Sequence, residues 1–213
     1  MNGSAGNSMP DSGEPKVELL FATPIITCRL GKAEQVNAQL EPLILRRMEK
    51  EHSVQASNVG GWHSDHQFMR WGGKSAKLLA STVTDIVAAR TRSLLARDPR
   101  LAKWTIRAWA NVSGNGAYNM PHAHGRSYWS VIYYVRVDEG AGGQLVLHDP
   151  RLPQTEMHAP HYRFRDAGAE GLYQIDPEAG LLVVMPSWLT HSVRPFQSEG
   201  LRISVAMNLS VPD

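Results

Sequence analysis

Cysteine is almost missing from this sequence. Cys28 is the single one among 213 residues, which excludes a disulfide within the chain. No apolar run approaches the roughly 18 residues that a transmembrane helix requires. The first part of the sequence also lacks the basic start and the apolar segment of a secretion signal. We therefore expect a cytoplasmic protein with no membrane partner.

An excess of charge of one sign is also missing. Lys and Arg together number 22 and Asp and Glu 20, so the formal net charge is only +2. Binding to nucleic acid commonly uses a basic run or patch, and no such run occurs. We expect no nucleic-acid partner, and a homodimer stays an open alternative. The apolar share of 42% is enough for one core.

The amino-acid composition of the first thirty residues changes at about residue 16. Gly, Ser, Asn and Pro dominate residues 1–15, which predicts a disordered leader. Residues 16–213 are expected to form one domain. At its start, the apolar residues 17–30 surround Pro24 and predict a strand pair or one bent edge strand.

Apolar residues at helical spacing predict two helices, over residues 33–50 and 74–97, with the second ended by an Asp-Pro pair. Between them, the segment GGWHSDHQFMRW contains His63 and His66. These histidines are three residues apart in a Gly-bounded segment, so a shared metal-facing side is not assured. We expect ordinary loop histidines here.

From residue 103 onward, short apolar runs are broken by Gly, Pro, Asn and Asp, which predicts a β core of about residues 103–210. The candidate strands are residues 103–112, 128–137, 143–148, 171–175, 180–185, 190–195 and 201–209. Such a series after N-terminal helices favours a double-stranded β-helix. This jelly roll, or cupin-like barrel, can enclose a small ligand.

Three histidines in the β core form a candidate metal site. His122 and His124 are two apart, so in extended chain both project to the same side. His191 follows a Pro-containing turn and starts a predicted strand, which is a natural place for a third ligand. Imidazole suits iron, copper, nickel and zinc, so the ligands alone do not select the metal.

The stretches HAHGRSYWSVIYYVRVDEGAGGQLVLHDPR and PEAGLLVVMPSWLTHSVRPFQSEGLRISVAMNL resemble the bacterial and phage family of 2-oxoglutarate- and iron(II)-dependent oxygenases, over residues 17–209. The resemblance implies a prolyl-hydroxylase-like fold, Fe(II) as the metal, and 2-oxoglutarate and O2 as co-substrates. It matches His122 to the first iron ligand and His191 to the distal one. His124 stands where the superfamily usually carries Asp.

The same resemblance matches Arg202 to the residue that pairs with the distal carboxylate of 2-oxoglutarate. Physical chemistry agrees, because a dicarboxylate deep in a barrel needs a buried cation, and an Arg within the apolar strand LRISVAMNL offers a bidentate fork. Tyr134 resembles the tyrosine that bonds this carboxylate. Strand alternation places Tyr133 on the opposite face.

His124 makes the reaction class less secure than the fold, because three neutral imidazoles leave the metal's charge uncompensated. Asp149 is therefore a candidate carboxylate near the metal or a metal ligand itself, or it is simply the turn residue before Pro150. Arg151 is a candidate contact for an anionic substrate group, or a partner of Asp149.

The expected reaction is hydroxylation of a small-molecule or peptidyl substrate, with 2-oxoglutarate decarboxylated to succinate. Candidate substrate contacts near the predicted mouth are Trp109, Asn111, Asn119 and Arg126, together with Asp149 and Arg151.

Two other functions stay open. A cupin with a three-His site, such as a thiol dioxygenase or an isomerase, fits the turn before His191. However, Trp188 stands where that motif expects Gly, and the cupin glutamate is missing after His124. A metal-free jelly roll that binds a small molecule is the other alternative.

Overall fold

The computed structural model describes residues 20–94, 98, 102–153, 157, 161–162 and 171–211. The expected leader of residues 1–15 lies outside these described residues. Within them, no helix is long and apolar enough to cross a membrane.

In the described part of the chain, three helices precede the β core: α1 (Ala33–Lys50), α2 (Phe68–Trp71) and α3 (Gly73–Ala89). The prediction of α1 is confirmed over its full length. It buries Val36, Leu40 and Ile44, which recur every four residues and so form one apolar stripe. The short α2 was not predicted.

The prediction that the second long helix continues to residue 97 was wrong, because α3 ends at Ala89. Thr91 lies two residues beyond this end. Its side-chain hydroxyl donates to the carbonyl of Val87 at 2.6 Å and accepts the indole N–H of Trp129 at 3.0 Å, which connects the end of α3 to the sheet. Leu94, which continues the apolar pattern, is 86% exposed, so burial at this position does not favour a longer helix.

Thirteen strands lie among the described residues. In chain order they are β1 (Ile26–Arg29), β2 (Asn58–Val59), β3 (Trp62–His63), β4 (Thr105–Ser113), β5 (Tyr118–His122), β6 (Trp129–Val137), β7 (Ala141–Gly142), β8 (Leu145–His148), β9 (Leu172–Ile175), β10 (Leu181–Pro186), β11 (His191–Val193), β12 (Phe196–Gln197) and β13 (Arg202–Ser210). Each of the seven strands predicted after residue 103 is present. The edge-strand prediction also holds for the described part of residues 17–30, since β1 pairs only with β10.

Two antiparallel sheets form the barrel. The six-stranded sheet has the order β1-β10-β6-β13-β4-β3, the five-stranded sheet β2-β5-β11-β8-β9, and β12 pairs with β7. This is the predicted double-stranded β-helix with an N-terminal helical layer. The prediction missed β5 because its sequence, YNMPH, is polar and contains Pro121, which is unfavourable inside a strand.

Alternation along β13 separates the two faces of the six-stranded sheet. Ile203, Val205, Met207 and Leu209 join the apolar core shared with α1 and α3. The intervening side chains, Arg202, Ser204, Ala206 and Asn208, line a cavity between the sheets. A second apolar cluster closes part of that interior and contains Tyr134, Leu145, Leu147, Val183, Met185, Leu189 and Val193.

A β-bulge between β6 and β13 sets which side chains face inward. Ser204 lies opposite Tyr134, but Ile203 lies opposite Arg136 and Arg202 opposite Val137. A regular register would instead place Arg202 and Arg136 opposite each other, as two like charges on one face. With the bulge, Arg136 points outward to Glu41 of α1, at 2.8 Å, while Arg202 points inward.

Candidate active site

Strand pairing brings the three histidines together. His122 ends β5 and His191 begins β11, and the two are direct partners in the antiparallel register. His124 follows β5, and its backbone N–H donates to the carbonyl of Ser187, in the turn before β11, at 2.9 Å. One ligand atom from each of the three histidines lies within 4.8 Å of the other two. Three imidazole nitrogens thus surround one point.

The hydrogen bonds of two of these rings fix their tautomers. Nδ1 of His122 lies 2.8 Å from the carbonyl oxygen of Met120, and Nδ1 of His191 lies 2.9 Å from that of Leu189. A carbonyl can only accept, so each Nδ1 carries the hydrogen and each Nε2 keeps a free lone pair. Donation from the second ring nitrogen to a carbonyl is the usual way in which proteins orient a metal-binding histidine.

All three imidazoles are neutral at physiological pH. Burial lowers the pKa of His122. Burial, followed by the positive charge of neighbouring groups, lowers the pKa of His124 to about 4 and that of His191 to about 3. Neutral imidazole is the form that binds a metal ion, so no proton has to be displaced. The donor set fits a divalent transition metal.

A cavity of about 330 Å³ extends from the histidines into the barrel and reaches Arg202. Arg202 is only 2% exposed, and its Nη2 donates to the hydroxyl of Ser113 at 3.0 Å. Gly143 has a φ of +72° and packs against this side chain, and a Cβ there would lie 3.2 Å from Cδ of Arg202. The strand partner and the glycine hold the guanidinium in place.

Two buried donors lie at or near the inner end of the cavity. Nε of Arg202 and the hydroxyl of Tyr134 have no partner of good hydrogen-bond geometry, although the two side chains are close enough to interact. Arg202 lines the cavity, whereas Tyr134 is not among its lining residues. Burial raises the pKa of Tyr134, while the nearby positive charge of Arg202 opposes the rise. Within the described ranges, no carboxylate pairs with Arg202. Burying an isolated charge costs several kcal/mol, and a bound anion would offset that cost. A carboxylate group fits here.

The remaining predicted residues divide into two groups. Trp109, Asn111 and Asn119 line the cavity, as expected for substrate contacts. Arg126, Asp149 and Arg151 are not among its lining residues.

The carboxylate of Asp149 pairs with Arg151 and does not belong to the three-histidine group. Its carboxylate accepts from Nε and Nη2 of Arg151 at 2.9 and 2.7 Å, which is the pairing that the sequence left open. The described histidine group does not include it. Arg126 is exposed, and its carbonyl accepts from the hydroxyl of Ser210.

Sequence reasoning missed three residues that line the cavity. His63 is buried and stacks on Trp109, with ring centroids 5.5 Å apart, and His66 meets the edge of the same indole at 5.1 Å. Neither belongs to the three-histidine group, but neither is an ordinary loop residue. Arg107 lies two residues before Trp109 on β4 and also lines the cavity. Strand alternation from Trp109 is the signal that would have found it.

The β core matches one known family. Residues 107–208 match the family described as "putative 2OG-Fe(II) oxygenase". The match runs from β4 to β13 and so covers most of the β core. This oxygenase is therefore an enzyme that depends on 2-oxoglutarate and iron(II), in agreement with the resemblance of its motifs. The match disfavours the cupin and the metal-free alternatives. A search of curated proteins found no match.

Solved structures share the fold of this oxygenase. A prolyl-4-hydroxylase from Pseudomonas putida is 17% identical, with 89% of this chain and 93% of that chain covered and a TM-score of 0.59. A Trichoplax adhaerens prolyl hydroxylase, in complex with a hypoxia inducible factor peptide fragment, is also 17% identical, with 89% and 83% covered and a TM-score of 0.60. HygX from Streptomyces hygroscopicus, with nickel and 2-oxoglutarate bound, is 10% identical, with 89% and 83% covered and a TM-score of 0.57.

Proposed function

We propose that this oxygenase hydroxylates a small-molecule or peptidyl substrate, with iron(II) held by His122, His124 and His191. The observation that carries the proposal is the convergence of three neutral imidazoles in one cavity with a buried, unpaired arginine. When bound, iron(II) and 2-oxoglutarate supply the oxidising power, with O2 consumed and 2-oxoglutarate decarboxylated to succinate.

Arg202 and Tyr134 are proposed to bind the distal carboxylate of 2-oxoglutarate. The guanidinium donates to the carboxylate through the nitrogens that Ser113 leaves free, and the tyrosine hydroxyl adds a second type of donor. Charge-assisted bonds of this kind are roughly twice as strong as neutral ones. The pocket also stays specific for an anion, because a neutral ligand would leave the charge of Arg202 unpaired.

The second apolar cluster has a role in this scheme. Leu145, Val183 and Met185 are fully buried around Tyr134 and keep water from the inner end of the cavity. A dry environment strengthens the bonds of Arg202 to a carboxylate. It also protects reactive species from side reactions with water.

The peptide bound by the Trichoplax neighbour supports keeping peptides among the candidate substrates. The cavity, at about 330 Å³, is large enough to admit either a side chain or a small molecule. A cytoplasmic location and a homodimer stay predictions from the sequence.

The metal assignment is tested by removing ligands. His122→Ala and His191→Ala should each lose bound iron, because each removes one of three protein ligands. His52→Ala is the matched control, since His52 is exposed and is not among the residues that line the cavity. Iron content is measured by elemental analysis after gel filtration. Unchanged iron in both ligand variants would overturn the assignment.

A further inference from the structure

The cavity is rich in basic groups. Its lining includes two arginines and five histidines: Arg107, Arg202, His63, His66, His122, His124 and His191. Of the described residues that line it, none is Asp or Glu. Cation-lined cavities concentrate anionic ligands, especially where low-dielectric walls focus the field.

Arg107 is the arginine of this lining that the proposed metal and 2-oxoglutarate sites do not use, and its side chain is exposed to solvent. It lies on β4 on the same face as Trp109 and Asn111, which also line the cavity. Among the described residues, no hydrogen bond or ion pair engages its guanidinium. Its charge nevertheless acts on the interior, because it lowers the pKa of His63 and His66.

Asp65 is an acidic residue close to His66, since its charge opposes the fall of the pKa of His66. Its carboxylate accepts from the indole N–H of Trp71 at 3.2 Å and from Nη2 of Arg47 at 3.4 Å. Asp65 therefore pairs with Trp71 and Arg47 and not with Arg107.

Binding of iron(II) and 2-oxoglutarate does not neutralise the positive charge of the cavity. The two negative charges of 2-oxoglutarate match the two positive charges of iron(II), so Arg107 and Arg202 still contribute a net positive charge. A site with a carboxylate ligand would be one charge less positive, but His124 is neutral. Arg107 is exposed, so water screens part of its charge, but the net positive charge of the cavity still favours an anionic substrate group.

We propose that the substrate carries an anionic group, a carboxylate or a phosphate, which Arg107 binds. This inference rests on the proposed function and names the substrate class of the same cavity. Trp109, one strand repeat of about 7 Å from Arg107, lies beside His124 with ring centroids 5.6 Å apart. The oxidised carbon is thus several bonds away from the anionic group.

The test uses the protein loaded with nickel(II) and with 2-oxoglutarate in excess. Binding of nickel(II) and 2-oxoglutarate is measured first, by calorimetry. The loaded protein is then titrated with phenylacetate, phenyl phosphate and the neutral phenylacetamide. We expect at least one anion to bind about tenfold more tightly than the amide, as a charge-assisted bond provides. Whichever anion binds better identifies a carboxylate or a phosphate as the favoured group.

Arg107→Gln should remove the preference for anions and leave the binding of 2-oxoglutarate and phenylacetamide unchanged. Arg90→Gln is the matched control, because Arg90 is an exposed arginine at the end of α3 in the outer layer. It should keep the preference. An equal affinity for anions and amide, or an unchanged preference in Arg107→Gln, overturns the inference alone. Failure of nickel(II) or 2-oxoglutarate to bind overturns the proposed function and the inference together.

Discussion

At His124, one residue changes the electrostatics of the whole site. The superfamily usually carries Asp at this position, and a carboxylate would offset one charge of the metal. The imidazole of His124 lies between Trp109 and the other two histidines, with ring centroids 4.9 to 5.6 Å away. Three neutral ligands should raise the reduction potential of the iron relative to a carboxylate-ligated site.

Variants of His124 distinguish a ligand from a bystander. His124→Asp should keep iron bound, because it exchanges one ligand for another, whereas His124→Ala should weaken iron binding by at least about tenfold, the scale of losing a ligand or its support. Asp149→Ala should have no effect on iron, because Arg151 holds that carboxylate. Metal titration of the three variants checks this. Weak iron binding only in Asp149→Ala would contradict it.

At the scale of elements, the packing of α3 into the apolar core contributes to the free energy of unfolding but does not form part of the candidate site. Leu79 is fully buried in this interface, whereas its neighbour Leu78 is 43% exposed. Leu79→Ala should lower the free energy of unfolding by about 2–5 kcal/mol, because it leaves a cavity in the core. Leu78→Ala is the control and should change it by roughly 0.5 kcal/mol or less. Urea denaturation compares them, and equal losses would show that α3 does not pack as described.

Elements with a strong local pattern could be predicted from the sequence. The apolar stripe of α1 and the strands of the β core are present where predicted. Local pattern failed where tertiary contacts decide. α3 ends at Ala89 although its apolar pattern continues, and β5 forms despite Pro121 because β2 and β11 flank it.

The residues of the candidate site also fall into those that a local pattern could predict and those that depend on strand pairing. Its His122 and His124 are two apart in the chain, so spacing alone could propose them. Arg107 lies two residues before Trp109 on β4, so alternation along that strand could have proposed it. His63 reaches the cavity through sheet pairing, since β3 pairs with β4 and carries His63 to the strand of Trp109. The β-bulge that turns Arg202 inward likewise depends on a partner strand. No local pattern encodes these relations.

At the scale of the whole molecule, the buried histidines couple stability to pH. Burial lowers the pKa of His124 and His191 to about 4 and about 3, from an ordinary 6.5. The unfolded chain therefore binds more protons than the folded chain below about pH 6.5, and stability falls as pH decreases toward 4.

We expect metal-free protein to lose up to about 1.4 kcal/mol of unfolding free energy per pH unit for each such histidine in this window. His191→Gln should reduce the slope, because glutamine does not titrate. Urea denaturation between pH 7 and pH 5 measures both slopes. Stability that is flat in the wild type, or a slope that is unchanged in His191→Gln, would contradict the burial of a neutral His191.

The most direct measurement of the site as a whole is anaerobic titration of the iron(II)-loaded protein with 2-oxoglutarate. The visible charge-transfer band of the chelate reports binding of the metal and the co-substrate together. The wild type should develop the band. Arg202→Ala should retain iron but need at least about tenfold more 2-oxoglutarate, because a charge-assisted pair is lost. The absence of a band in iron-loaded wild type, or equal titrations of the wild type and Arg202→Ala, would contradict this account.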